Sequence, residues 1–184
     1  MSKVYDVAVF VGSLRKHSYS RKTALGLAKL APPALTLSIV EIGDLPFYNE
    51  DLETSAPQSW LFFRRRVKSA DALLFVTPEY NRSIPGVLKN AIDVGSRPYG
   101  KSVWDSKPGA IVSVSPGAIG AFGANHQLRQ SMVFLNVPMM QQPEAYIGGA
   151  ADLFNAEGNL TQPKSSEFLA KFMQAFATWI AHNI

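Results

Sequence analysis

Three polar loops hold the residues of this 184-residue chain whose types and spacing suit chemistry. The first reads Gly12-Ser13-Leu14-Arg15-Lys16-His17-Ser18-Tyr19-Ser20-Arg21-Lys22, between an apolar run and a helix-like segment. A phosphate in such a loop meets backbone N–H groups, the positive end of a helix dipole, several hydroxyls and a guanidinium. Arg15 can grip it through two parallel hydrogen bonds, which a lysine cannot. Ser13, Ser18 and Ser20 are short donors on a turn, suited to single phosphate oxygens. The competing account is that the serines merely cap the helix and close the turn. For Ser20 alone that account is strong; for the whole loop it is weaker. Neither Gly-x-x-x-x-Gly-Lys-Ser/Thr nor Gly-x-Gly-x-x-Gly occurs here, which disfavours a triphosphate cradle and a dinucleotide turn. The shape that remains is a monophosphate cup.

FMN is the common cofactor that ends in one phosphate, and the other two loops suit its ring. The second reads Pro78-Glu79-Tyr80-Asn81-Arg82-Ser83-Ile84-Pro85-Gly86. A flavin needs a flat surface, backbone donors near N5 and polar groups for its pyrimidine edge. Two prolines and Gly86 hold this segment in a fixed shape, Tyr80 offers an aromatic plane, and Asn81 both donates and accepts. A plain strand-to-helix loop with Pro85 at the helix start is the alternative. The backbone of Glu79 is a better candidate than its carboxylate. The third loop, Ser113 to Gly123, carries Gly117, Gly120 and Gly123, which let a ring approach the backbone closely. Their spacing matches no dinucleotide fingerprint, and a flexible surface loop competes.

No side chain is assigned as a catalytic acid or base. His17, His126 and His182 stand apart, and a structural or solvated role is expected for each. No histidine and carboxylate spacing suggests a metal site. The absence of cysteine removes disulfides, thiolate zinc sites, iron–sulfur clusters and cysteine nucleophiles.

The elements that must position these loops follow from the apolar pattern. Val4–Val11, Leu35–Ile42, Ala72–Thr77, Gly109–Val114 and roughly Met139–Ile147 are short apolar runs, most of them continuous and rich in Val and Ile, as expected of strands covered on both faces. Between them lie helix-like segments. Ser20 is expected to cap one that runs through Leu30 and stops at Pro32-Pro33. Pro57 starts another through Ala70, followed by Gly86–Gly95, Asn125–Leu135 and about Lys164–His182. In the last, Phe168, Phe172, Phe176 and Ile180 form a stripe expected to pack in the core. Alternating strands and helices imply an α/β fold with a parallel sheet, and five of each suit the flavodoxin-like three-layer sandwich: a five-stranded parallel sheet, order 2-1-3-4-5, with helices on both faces. The informative loops follow strands one, three and four, so a parallel sheet puts all three on one edge.

No linker or repeat divides the chain, so residues 1–184 are expected to form a single flavodoxin-like FMN-binding domain. The run at Val4 to Val11, interrupted by Asp6, lacks the marks of a signal peptide, and no stretch reaches bilayer length. A cytoplasmic location and no membrane partner are expected. The net charge of +4 favours anionic ligands such as phosphates, dinucleotides and oxyanions. Nucleic acid is not an expected partner, because the basic residues are scattered. The cluster Arg64-Arg65-Arg66 with Lys68 is expected to form a solvated helix face.

These residues together resemble the NAD(P)H-dependent FMN reductases, and within them the bacterial quinone and chromate reductases. The resemblance rests on Gly-Ser-Leu-Arg-Lys (12–16), Thr-Pro-Glu-Tyr-Asn (77–81), Pro-Gly-Val-Leu-Lys-Asn-Ala-Ile-Asp (85–93), Leu-Arg-Gln (128–130) and Pro143-Glu144, in order over nearly the whole chain. It implies non-covalent FMN, NADPH or NADH as co-substrate, and a homodimer or homotetramer. The phosphate is then expected at Ser13, Arg15, Ser18, Tyr19 and Ser20. The ring is expected along Pro78, Glu79, Tyr80 and Asn81, with its pyrimidine side near Ser115 and Gly117. The segment from His126 to Arg129, with Glu144, resembles a region that pairs subunits. The implied activity is a ping-pong cycle: hydride from NAD(P)H to the flavin, then two electrons to a quinone or another small acceptor such as chromate, an azo compound or free flavin.

Three other functions compete. A flavodoxin-like electron carrier is usually strongly acidic, which a net charge of +4 is not. A serine hydrolase needs a Gly-x-Ser-x-Gly elbow, which this sequence lacks. A flavin-based redox sensor shares the ring site and is separated from an enzyme only by turnover.

Overall fold

The computed structural model describes residues 3–155 and 158–184. Five parallel strands, β1 (Tyr5–Val11), β2 (Leu35–Val40), β3 (Ala72–Thr77), β4 (Gly109–Val114) and β5 (Ala145–Ile147), form one sheet in the order β2-β1-β3-β4-β5. Five α-helices cover it: α1 (Tyr19–Leu30), α2 (Gln58–Ser69), α3 (Gly86–Gly95), α4 (Phe122–Phe134) and α5 (Pro163–Asn183).

β3 and β4, and β1 from Val7 onward, are apolar at almost every position because both faces are buried, whereas the edge strand β2 is buried only at Leu35 and Val40. Ala8 and Phe10 of β1 join Leu73 and Phe75 of β3 in a core with Trp60, Phe63 and Val67 of α2, Leu88 of α3 and Leu128 of α4. Val7, Val9 and Val11 point the other way, into a core with Leu27 of α1 and Leu169, Phe172, Met173, Phe176 and Ile180 of α5. Two-residue alternation thus sorts one continuous run between two cores. The aromatic stripe of α5 is core, with Phe168 at its margin. In the strand order, the connection from β1 leads to β2 on one side, while β3 lies on the other. Chains leaving β1 and β3 therefore diverge and open a crevice beyond their carboxyl ends.

Four features differ from the sequence expectation. The run Met139–Ile147 is not one strand. Met139 makes only a bridge to Gly109, and regular pairing resumes at Ala145. Pro143, inside that run, has no N–H for the ladder. The cap of α1 is Ser18, whose hydroxyl accepts the Arg21 N–H at 3.1 Å; Ser20 lies inside the first turn. Helix α4 begins at Phe122, three residues before Asn125, after Ala121 in a left-handed conformation (φ 60°). The arginine cluster is not one solvated face. Arg65 and Lys68 are exposed, but Arg64 is buried, donates from Nε to the Val94 carbonyl at 2.8 Å, and leaves one guanidinium nitrogen without a partner. Burial lowers its pKa. Arg66 makes a two-pronged pair with Asp6, at 2.8 and 2.9 Å.

Candidate cofactor-binding cleft

The parallel sheet brings the three loops to one edge, and a cleft opens between them. Its walls are Ser13, Arg15, Ser18, Tyr19 and Ser20 from the first loop and Pro78, Glu79 and Tyr80 from the second, with Val114, Ser115 and Pro116 from the third. Two of the residues singled out from sequence stand outside that lining. Asn81 is exposed at the tip of a turn, and Gly117 faces solvent while its carbonyl accepts the Ser115 hydroxyl at 3.0 Å. Val114 and Pro116 were not anticipated; their only signal is that they flank Ser115 at the end of a strand.

The first loop is built as an anion cup. Val11 ends the central strand, and Gly12 continues it with an N–H bond to the Val76 carbonyl at 2.9 Å. A Cβ on Gly12 would lie 2.9 Å from the Thr77 hydroxyl, so glycine permits the close approach of β1 to the second loop. Ser13, Ser18 and Ser20 are buried, while Arg15, Lys16 and His17 are exposed. The Tyr19 and Ser20 amides at the start of α1 donate to no protein acceptor among the described residues. Nor does the Arg15 guanidinium, whereas Arg21 next door binds Glu41 through both nitrogens. Free amides at a helix start, a buried hydroxyl and an unpaired cation match the donor set a phosphate monoester requires.

The second loop is a tight hairpin. Tyr80 and Ser83 exchange both backbone hydrogen bonds, at 3.1 and 3.0 Å, around Asn81 and Arg82. Those two have φ of 51° and 63°, as a two-residue turn matching the strand twist demands. The Glu79 carboxylate accepts the Ala124 N–H at 3.1 Å and the Arg82 guanidinium at 3.3 Å. This carboxylate has a structural role that the sequence did not indicate: it serves the free N-terminus of α4, which has no cap of its own.

The third loop hangs on buried polar bonds. Ser113, fully buried, donates to the Gly120 carbonyl at 2.7 Å and accepts from Asn125 Nδ2 at 3.1 Å. Asn125 in turn accepts from Arg129, which also donates to the Met140 carbonyl at 3.0 Å. Nearby, His126 shares a hydrogen bond of 2.9 Å with the Tyr146 hydroxyl. Burial, then the neighbouring Glu144 carboxylate, pushes the Tyr146 hydroxyl up to about 12. Sequence inspection did not find this chain of contacts, since nothing in the spacing marks Ser113 or Asn125 as partners.

A parallel sheet in this order, with a cleft lined by unpaired donors at its strand-order switch, defines a flavodoxin-like α/β protein with a ligand site at that switch. The family model for NADPH-dependent FMN reductase matches residues 5–152, and the chain belongs to that family. It is 64% identical over 184 residues to a quinone reductase of Pseudomonas putida, covering all of this chain and 98% of that one. A 2-hydroxy-1,4-benzoquinone reductase from a Burkholderia species is 45% identical over 174 residues, 95% of each chain. Among solved structures, the flavoenzyme NAD(P)H:(acceptor) oxidoreductase of Paracoccus denitrificans superposes with a TM-score of 0.93 at 46% identity, covering 98% of this chain and 99% of that one.

Proposed function

We propose that this chain, as one domain spanning residues 1–184, is an FMN-dependent NAD(P)H oxidoreductase that reduces quinones. The observation that carries the reading is the single cleft in which an unpaired Arg15 and the free start of α1 face the hairpin after β3. Arg15, Ser13, Ser18, Tyr19 and Ser20 hold the phosphate. The hairpin backbone from Pro78 to Asn81 faces the ring, and Ser115 with Gly117 bounds its pyrimidine side. When bound, FMN supplies the two-electron chemistry, taking hydride from NAD(P)H and then reducing a quinone in a ping-pong cycle. The chain contributes position and electrostatics, with no side chain exchanging a proton. The names of its relatives support the quinone as acceptor. The net charge of +4 suits chromate as a further acceptor, with azo compounds and free flavin to be tried in the same assay. A chain without cysteine fits a cytoplasmic setting, and no helix among the described residues is long and apolar enough to cross a membrane.

Purified protein should be yellow, bleach anaerobically with NADH or NADPH, and oxidise either with benzoquinone. Colourless protein would sink the flavin reading. Bound FMN with negligible turnover would instead favour the redox sensor.

The working unit is a homodimer in this reading. Phe47, Tyr99, Val133 and Phe134 are 81, 89, 76 and 87% exposed. Tyr99 and Phe134 line a groove of about 700 Å³ with Arg97 and Asp105, at the end of the sheet opposite the cleft. Arg97 and Asp105 form no ion pair among the described residues. A two-fold axis presents the same patch twice, so Arg97 of one copy can meet Asp105 of the other. Sedimentation should show a dimer that Phe134→Glu converts to a monomer. A wild-type monomer at micromolar concentration would refute it, and a tetramer would require a second face, for which the His126–Glu144 segment is the candidate.

A further inference from the structure

The hairpin after β3 pays a conformational cost and is tied down by a residue outside the cleft. A side-chain-bearing residue is strained in the left-handed region, asparagine less than others, and such conformations persist only where the surroundings over-determine them. Here Arg82 is the exposed offender, at φ 63°. Its carbonyl accepts from Gln127 Nε2 at 3.0 Å, and Gln127 Oε1 accepts the Ser83 hydroxyl at 2.6 Å. One amide thus grips two successive residues of the turn with both its ends. Gln127 stands three residues after Ala124 on α4, so it shares a helix face with the N–H that Glu79 occupies. Gly123 completes the contact: a Cβ there would fall 2.9 Å from Glu79 Oε2 and 3.1 Å from the Arg82 carbonyl. The Glu79, Asn81 and Arg82 amides donate to no protein acceptor among the described residues. They are the donors the hairpin can offer a ring.

We infer that Gln127 is a positioning residue for the flavin reaction: it locks the turn so that these amides keep one orientation toward the ring edge at N5. The inference rests on the FMN reading above. It does not follow from a motif, because Gln127 lies in mid-helix and touches neither phosphate cup nor cleft wall.

Gln127→Ala removes both bonds, and Gln127→Glu keeps the acceptor for Ser83 while setting an oxygen against the Arg82 carbonyl. Both should leave the urea midpoint of unfolding nearly unchanged. In protein free of FMN, exchange of the Tyr80 and Ser83 amides should accelerate by about tenfold as the turn opens. In FMN-loaded protein, flavin reduction at saturating NADPH should slow by about tenfold or more, because misplacement by an ångström is enough. The KM for NADPH should stay within about twofold, and the flavin midpoint potential should move. Exchange and reduction both at wild-type rates would overturn the clamp. If the wild type binds no FMN, the cofactor reading fails by itself, while the exchange measurement still judges the clamp.

Discussion

Glu79 and Ala124 lie 45 residues apart in the chain, yet the Glu79 carboxylate accepts the Ala124 backbone N–H at 3.1 Å and so joins the ring loop to the start of α4. An uncapped helix start is served by a side chain from another element. Removing it in Glu79→Ala should cost about 1 kcal/mol, the usual value of a lost cap. Urea unfolding measures this. Glu79→Gln should recover most of the loss, since the amide oxygen still accepts; equal losses in the two variants would assign the effect to the charge, and wild-type stability in both would show that the charge and the bond are idle.

The Arg15 guanidinium makes no hydrogen bond or ion pair with the protein among the described residues, and only the backbone of Arg15 is bonded, so its replacement should separate binding from folding. Arg15→Ala is expected to leave the unfolding temperature unchanged. It should weaken FMN by about ten- to a hundredfold, the equivalent of one charged hydrogen bond of roughly 1.5–3 kcal/mol. Fluorescence titration of stripped protein reads this directly. Unchanged affinity would remove Arg15 from the cup.

Gly120 has φ 63°, and a Cβ there would lie 2.6 Å from the Tyr146 carbonyl carbon and 2.8 Å from the Ile147 nitrogen. Backbone cannot swing aside as a side chain can. Gly120→Ala should therefore destabilise by at least about 2 kcal/mol and disturb the loop that carries Ser115. The check is chemical denaturation, with Gly117→Ala as control, because the nearest atom to a Cβ there is 3.8 Å away.

Arg21 and Glu41 give an acid-dependent prediction. The Arg21 hydrogen bond holds the Glu41 carboxyl below its ordinary 4.5. A carboxyl lowered in the folded state adds stability above its unfolded pKa and loses it as pH falls through the folded one. Both side chains are largely exposed, 42% and 66%, so solvent screening limits the pair to less than about 1 kcal/mol. Arg21→Ala should be slightly less stable than wild type at pH 7, and the two should converge in acid well below pH 4.5. A gap of constant size down to that limit would assign the loss to packing instead.

How much was readable before the fold was known varies with the kind of interaction. β1, β3 and β4 were legible because strands buried on both faces need an apolar side chain at almost every position. The third helix, α3, has the bounds expected from sequence, Gly86–Gly95, with Pro85 before it. Met139–Ile147 misled, since an apolar run says nothing about which of its N–H groups will find a partner. The arginine cluster misled for a related reason: Arg64 lies on the side of α2 that faces α3, where its Nε finds the Val94 carbonyl.

Composition and local pattern alone determined the layer architecture, the three loops and the donor types in the first of them, because each of these depends on residues close together in sequence. Only the tertiary structure decided what the Glu79 carboxylate does, that Gln127 grips the turn at Arg82 and Ser83, and that Ser113 and Asn125 hold Gly120. Those bonds join residues between 7 and 45 positions apart. A hydrogen bond is directional and short, so whether two such groups meet depends on how the helices dock on the sheet. Glu79 shows the division plainly: sequence placed it in the loop after β3, and the docking of α4 set its carboxylate on a helix end.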